Sequence, residues 1–244
     1  MKLKYTPLAA LTCASLLGSA ALSQAALTLG DIISVNFASS ETNGNDYGTT
    51  TSGAAVAGFG GDVWNNITGT GVASISSVAL NKTTGSASTV GLTINAGTYN
   101  GSNSAGTTLD VFKGNIYISN HPLYGTSPNS GIITLTGLGA GQLVDLYLYA
   151  GAGHTAGEGA IFNFGSSKTA TDSAVQETAY VENSNYVKYT SLAADGSGTI
   201  TGTWDVNGTG WSSLAGLQVV AVPEPSAALI GGLGMLVLLR RRRA

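Results

Sequence analysis

The sequence is poor in the residues that carry most catalytic and nucleic-acid chemistry. Its only cysteine, Cys13, lies in an N-terminal apolar run. The rest of the chain therefore has no thiol for disulfides, thiol catalysis or cysteine metal sites. Charged residues make up only 9% of the 244 positions, and the four arginines all stand together at the C-terminal end. Between residues 26 and 221 the cations are four lysines, Lys82, Lys113, Lys168 and Lys188. Twelve acidic residues oppose them outside the tail, a balance near −8 that the formal net charge of −3 conceals. Phosphate contacts need clusters of lysine and arginine, so a nucleic-acid partner is excluded. No Gly-x-Ser-x-Gly elbow occurs, nor a glycine-rich loop ending in Gly-Lys-Ser/Thr.

Plentiful instead are glycine, with 35 residues, together with serine, threonine, asparagine and alternating apolar positions. Short apolar stretches separated by Gly/Asn/Ser clusters describe strands joined by turns. Strands are expected near 31–37, 72–80, 89–95, 109–112, 115–119, 132–136, 142–149, 160–164, 175–181, 186–192, 198–205 and 214–220. The strongest signal is Gln142–Tyr149, where Leu143, Asp145, Tyr147 and Tyr149 alternate with Val144, Leu146 and Leu148. Ile132–Thr136 and Gln142–Tyr149 are expected to pair as a hairpin across Gly137–Gly141. No repeat of fixed period appears, which favours a sandwich over a solenoid. The fold class is all-β, a β-sandwich of jelly-roll type. An N-terminal signal helix and a C-terminal transmembrane helix are expected to flank it.

The two ends read as signals. Residues 1–25 have Lys2 and Lys4, the apolar run Leu8–Leu22 and the small-x-small triplet Ser23-Gln24-Ala25, a secretory layout with cleavage after Ala25, or alternatively after Ala26. A sandwich domain is expected over 26–221, and 222–244 form a tail. That tail has three parts in order: Val222-Pro223-Glu224-Pro225, the uncharged run Ser226–Leu239, and Arg240, Arg241, Arg242 and Arg243. The prolines end regular structure, the apolar run can enter a bilayer as a helix, and the arginines hold the end on the cytoplasmic side. Ser226–Leu239 supplies 14 residues, short of the ~20 that span a bilayer comfortably. It suits a transient signal better than a permanent anchor, the plainer alternative.

These residues resemble the PEP-CTERM sorting signal of Gram-negative bacteria, in the Pro223-Glu224-Pro225 triplet, the apolar run behind it and the closing arginine cluster. The resemblance implies export to the cell envelope or extracellular matrix and a transient inner-membrane anchor. It also implies recognition by an exosortase, a membrane-embedded transpeptidase-like enzyme, and removal of the tail near the triplet. Within the body, Ile132–Gly151 resembles a strand–turn–strand of galactose-binding-like jelly rolls. Gly196–Val220 resembles the last strands of many PEP-CTERM envelope proteins, with Ala215 where asparagine is frequent.

Candidate chemistry within the body is sparse. Trp64, Trp204 and Trp211 offer ring faces for sugar stacking if exposed, and core if buried. Glu41, Asn43, Asn45 and Asp46 place oxygen ligands within six residues, a set that could hold structural calcium. No other cofactor is expected. His154 and Glu158 sit among four glycines, which deny the helix that would align them, so this stretch reads as a loop. The sequence thus describes a non-enzymatic exported protein of structural or interaction type. A carbohydrate-binding module for exopolysaccharide is the alternative. A glycan hydrolase would need two carboxylates about 5–10 Å apart, which no signature here supplies.

Overall fold

A computed structural model describes residues 27–39, 51–69, 75–95, 98–101, 108–119, 130–151, 157, 159–172, 177–208 and 210–223. The residues expected to hold calcium, Glu41, Asn43, Asn45 and Asp46, both histidines, Glu158, the N-terminal segment expected as a signal helix and the tail beyond Pro223 lie outside these residues. Among the described residues no helix is long and apolar enough to cross a membrane.

The described chain is an all-β sandwich. Its strands are β1 (Ile32–Ser39), β2 (Asn65–Gly69), β3 (Ile75–Asn81), β4 (Ala87–Ile94), β5 (Thr98–Gly101), β6 (Gly114–Ser119) and β7 (Ser130–Thr136). They continue as β8 (Leu143–Tyr149), β9 (Ala160–Asn163), β10 (Ser167–Ala170), β11 (Tyr186–Ala193), β12 (Ile200–Val206), β13 (Trp211–Leu214) and β14 (Gly216–Ala221). One sheet has the order β11-β8-β14-β1-β2, a second β10-β9-β12-β7-β4-β3, and a third β13-β6-β5. All pairs are antiparallel except β1 with β2.

Alternation decides which face each strand buries, because successive side chains point to opposite sides of a pleated sheet. On β1, Ile33, Val35 and Phe37 enter the core between the sheets; on β8, Val144, Leu146 and Leu148 do; on β14, Leu217 and Val219 do. The second sheet meets them with Leu92 and Ile94 from β4, Ile133 and Leu135 from β7, Phe162 from β9 and Trp204 from β12. Each such side chain contributes about 1.5–3 kcal/mol on burial, so the core dominates the stability of a body with few ion pairs.

Four expectations about elements change. β7 and β8 do not form a hairpin: β7 lies in the six-stranded sheet and β8 in the five-stranded one. The segment between them crosses the sandwich edge, with Leu138 buried and bonded through its N–H to the Gly198 carbonyl at 3.1 Å. Gly137 makes the corner at φ 73°, where a Cβ would stand 1.9 Å from the Thr89 carbonyl oxygen. Residues 109–112, expected as a strand, instead lead into the 3-10 turn Asp110–Lys113, closed by a 2.6 Å Lys113–Asp110 ion pair. Its buried Val111 and Phe112 cap the outer face of the five-stranded sheet. The expected strand 214–220 divides at Ala215 into β13, which pairs with β6, and β14, which pairs with β1 and β8. In the expected strand 175–181, the described part from Glu177 onward forms no strand.

Both ends of the domain emerge at one pole. The Ala221 N–H donates to the Asp31 carbonyl at 3.0 Å and the Val222 N–H to the Leu143 carbonyl at 3.2 Å. At the same pole the Gln142 side-chain amide donates to the Leu27 carbonyl at 2.6 Å.

Candidate functional site

Leu27, the first described residue, is buried, so either expected leader cleavage point leaves the core residue in place. The expected sorting motif begins where β14 ends: Val222 is half-buried and Pro223 is exposed. Glu224, Pro225 and Arg240–Arg243 lie outside the described residues, as does Ala25.

The three tryptophans are not equivalent. Trp204 is 0% exposed, and its indole N–H donates to the Ser212 hydroxyl at 2.8 Å. It fills the core between the sheets and offers no stacking face. Trp64 shows only 5% of its surface, with its indole N–H held by the Gly53 carbonyl at 2.8 Å. It presents an edge at most. Trp211 is half-buried and stacks on Tyr117 with ring centroids 4.8 Å apart and planes 17° from parallel, so each ring already uses one face on the other.

The outer face of the five-stranded sheet is roofed by residues 51–64, the 3-10 turn and Tyr180. Beneath the roof, Tyr149 donates to the Gln218 side-chain oxygen and accepts from the Val56 N–H at 3.2 Å. Gln218 in turn donates to the Ser34 hydroxyl at 2.8 Å and to the Ala57 carbonyl at 2.9 Å, and accepts from the Ala57 N–H. This closed network satisfies a buried amide and a buried phenol while fastening the roof to two central strands. Burial pushes the Tyr149 phenol well above its ordinary value, the Val56 hydrogen bond opposing it only in part. Burial also raises Tyr180 and Tyr189 to about 12.

Every lysine of the body is engaged. Lys82 pairs with Asp31 at 2.7 Å, Lys113 with Asp110 at 2.6 Å and Lys188 with Asp145 at 2.8 Å. Lys168 donates to the Lys188 carbonyl at 2.5 Å and lies over the Tyr189 ring. Burial alone would raise the Asp31 carboxyl, but hydrogen bonds from Lys82 and Thr28 outweigh it and hold the group below its ordinary value. The Asp145 and Tyr147 hydrogen bonds raise Lys188 well above its ordinary value. Among the described residues no group of three histidine, cysteine, aspartate or glutamate side chains gathers as a metal site.

The roof itself carries a depression. It has a volume of about 400 Å³ and is lined by Thr51, Ser52, Gly60, Gly61, Asp62, Val63, Trp64 and Asn66. Two arms are tied together to form it. Ser52 bridges to Val63, and the Gly53 N–H donates to the Asp62 carbonyl at 2.9 Å. The Asn66 side-chain oxygen accepts from the Thr51 N–H at 2.8 Å and from the Asn36 amide at 3.0 Å. At the tip, the Asp62 carboxylate accepts from the Phe59 N–H at 2.8 Å, and the Phe59 carbonyl accepts from the Asp62 N–H at 3.1 Å. Gly58 permits this turn: φ is 105°, and a Cβ would lie 2.0 Å from the Asp62 carboxylate. The turn holds Phe59 outward at 77% exposure beside Gly60, with Val63 at 49%. Thr51 is 5% exposed, yet its hydroxyl has no hydrogen-bond partner among the described residues.

Of the residues picked out in sequence, only Trp64 belongs to this depression. Thr51, Phe59, Asp62 and Asn66 were not singled out. The available signal was an aromatic residue set among glycines, Gly58-Phe59-Gly60-Gly61, ahead of Asp62. No family model, no curated protein and no solved structure matches this chain.

Proposed function

We propose that this protein is an exported cell-envelope or extracellular-matrix component of structural or interaction type. Its jelly-roll body is delivered by an N-terminal signal helix and sorted by an exosortase through its C-terminal tail. The observation that carries this reading is the tail itself: Pro223-Glu224-Pro225, an uncharged run and four arginines, in that order. The geometry of the exit supports it. Pro223 is exposed directly after the central strand β14, so the triplet can enter an enzyme site while the sandwich stays folded. The N-terminal segment leaves at the same pole, held by the Ala221–Asp31 hydrogen bond. A precursor can therefore have both signals in one membrane without disturbing its core. Its role is binding or scaffolding rather than catalysis, and the membrane contact ends when the tail is removed.

The test is the intact mass of the protein recovered from its native host, fraction by fraction. A species beginning near Ala26 and ending near Pro223–Ser226, in the envelope or medium, is the expected result. A species that retains Arg240–Arg243 and sediments with membranes would leave a permanently anchored sandwich and refute processing.

A further inference from the structure

We infer that the pole where both ends of the chain leave the sandwich is a bilayer-contact surface, with Leu29, Phe59 and Val63 entering the headgroup layer while the tail stands in the membrane. The inference rests on the proposed reading of the tail as a membrane-entering signal. It goes beyond that reading in giving the folded body a lipid-facing surface of its own.

Exposed large apolar side chains are few, and their placement is uneven. Among the described residues they are Leu29, Phe59, Val63, Ile132 and Val181. Backbone bonds tie the first three to the exit of the two ends. Leu29 lies in the turn Thr28–Asp31, whose Gly30 N–H donates to the Ala221 carbonyl at 3.5 Å. The Thr83 N–H donates to the carbonyl of Ile32, the first residue of β1, and the Thr83 carbonyl accepts from the Val63 N–H, both at 2.8 Å. Phe59 opens the turn that directly precedes Val63. Two turns of the same build hold Leu29 and Phe59 outward. In one, the Asp31 carboxylate accepts from the Thr28 N–H at 2.7 Å, and the Asp31 N–H donates to the Thr28 carbonyl at 2.9 Å. In the other, Asp62 makes the same two bonds with Phe59, at 2.8 and 3.1 Å. Both tips are fixed before any contact, so little ordering is lost on binding. Val181, by contrast, is bonded to Asn185, whose carbonyl holds the Ala150 N–H at the far end of β8.

Chain length decides what covers this pole. Three residues, Pro223, Glu224 and Pro225, separate Val222 from the apolar run that begins at Ser226. Even fully extended they place Ser226 within roughly 14 Å of the end of β14. The headgroup layer alone is roughly 5–7 Å deep, so a run inserted from Ser226 draws the pole onto the bilayer surface. The leader pulls the same way, since four residues, Ser23–Ala26, separate Leu22 from the buried Leu27. Charge makes the contact apolar rather than electrostatic. Lys82, the cation at this pole, is taken by Asp31 at 2.7 Å, and Asp62 has no lysine partner among the described residues. Acidic headgroups find no free cation here, so zwitterionic lipid is the surface this pole fits. Apolar side chains at such a surface enter about 5–10 Å into the boundary of headgroups and acyl chains. Three of them give less contact than lasting attachment takes, so the contact ends when the tail is cut.

The test is electron paramagnetic resonance of the nitroxide-labelled full chain in phosphatidylcholine vesicles, comparing access of oxygen, which concentrates in lipid, with access of a nickel chelate, which stays in water. Cys13→Ser clears the native thiol, and Leu29→Cys, Phe59→Cys, Ile132→Cys or Leu233→Cys then gives a single labelling point. Leu233, in the apolar run, reports insertion of the tail. Ile132, on the six-stranded sheet, reports an exposed site away from the pole. The expected result is an oxygen-to-nickel ratio several-fold higher at Leu29 and Phe59 than at Ile132, with Leu233 higher still. Leu233 in lipid, with Leu29 and Phe59 as wet as Ile132, overturns the contact and leaves the reading of the tail intact. Leu233 in water overturns the reading of the tail, and the contact with it.

Discussion

Replacing Thr51 by valine is expected to make this protein more stable. The side chain is 5% exposed, and its hydroxyl oxygen is sealed from solvent without a hydrogen-bond partner among the described residues. A buried polar group in that state costs roughly 1–3 kcal/mol in desolvation. Valine has the same branching and nearly the same volume, so the exchange opens no cavity and strains no neighbour. The Thr51 backbone bonds to Asn66 are untouched, since they use only the N–H and the carbonyl. The gain is therefore expected to approach the full desolvation term, about 1–3 kcal/mol. For a domain of this size each kcal/mol raises the melting temperature by roughly 2–4 °C. Urea titration of the full chain, with thermal unfolding beside it, reads the effect directly. Thr51→Ser is the control: it keeps the hydroxyl and loses a methyl, so it should lose about 0.8 kcal/mol. Valine destabilising by 1 kcal/mol or more would mean that the hydroxyl is satisfied in the native state.

Two further outcomes follow from the buried network and the sheet crossing. The phenols of Tyr149, Tyr180 and Tyr189 have folded-state values above the ordinary 10, two of them near 12, so the unfolded chain releases these protons first. Their contribution to stability is complete below about pH 10 and is lost as pH rises toward 12, so alkaline unfolding should coincide with a cooperative rise in tyrosinate absorbance. A smooth titration near pH 10 with the fold intact would show these phenols to be solvated. Gly137→Ala combines a positive φ with a Cβ 1.9 Å from the Thr89 carbonyl, and should cost roughly 2 kcal/mol or more in urea. A loss below 0.5 kcal/mol would mean that the crossing between sheets can relax without penalty.

Strand existence was legible where one face is wet or polar and the other apolar. β8 shows why: Val144, Leu146 and Leu148 enter the main core while Tyr147 and Tyr149 form the second cluster, so the period of two survives in the sequence. Partner choice was not legible. Nothing local to Gly137–Gly141 distinguishes a turn within one sheet from a corner between two, because stacked sheets lie only ~10 Å apart and five residues reach either. Leu109, Val111 and Phe112 are apolar for packing on the outer sheet face, and a run of four cannot declare its own geometry. The division at Ala215 was hidden for a related reason. Both halves of 211–221 are extended, and only their different neighbours separate them. The depression was least visible of all, since its key feature is the absence of a partner for Thr51.

The arrangement of the two ends also has a mechanical side. β1 and β14 are adjacent, antiparallel and central, with Ile32 opposite Val220 where both leave the sandwich. Tension between the ends would therefore open that pair like a zipper, loading one rung at a time, the weakest direction in which a sheet can be pulled. Tension between the β14 end and the opposite pole loads the same rungs together, in shear, and the sandwich resists it far better. Release of the leader, as proposed, would remove the first load path and keep the second. A matrix protein held only through the β14 end would then bear force along its strong axis.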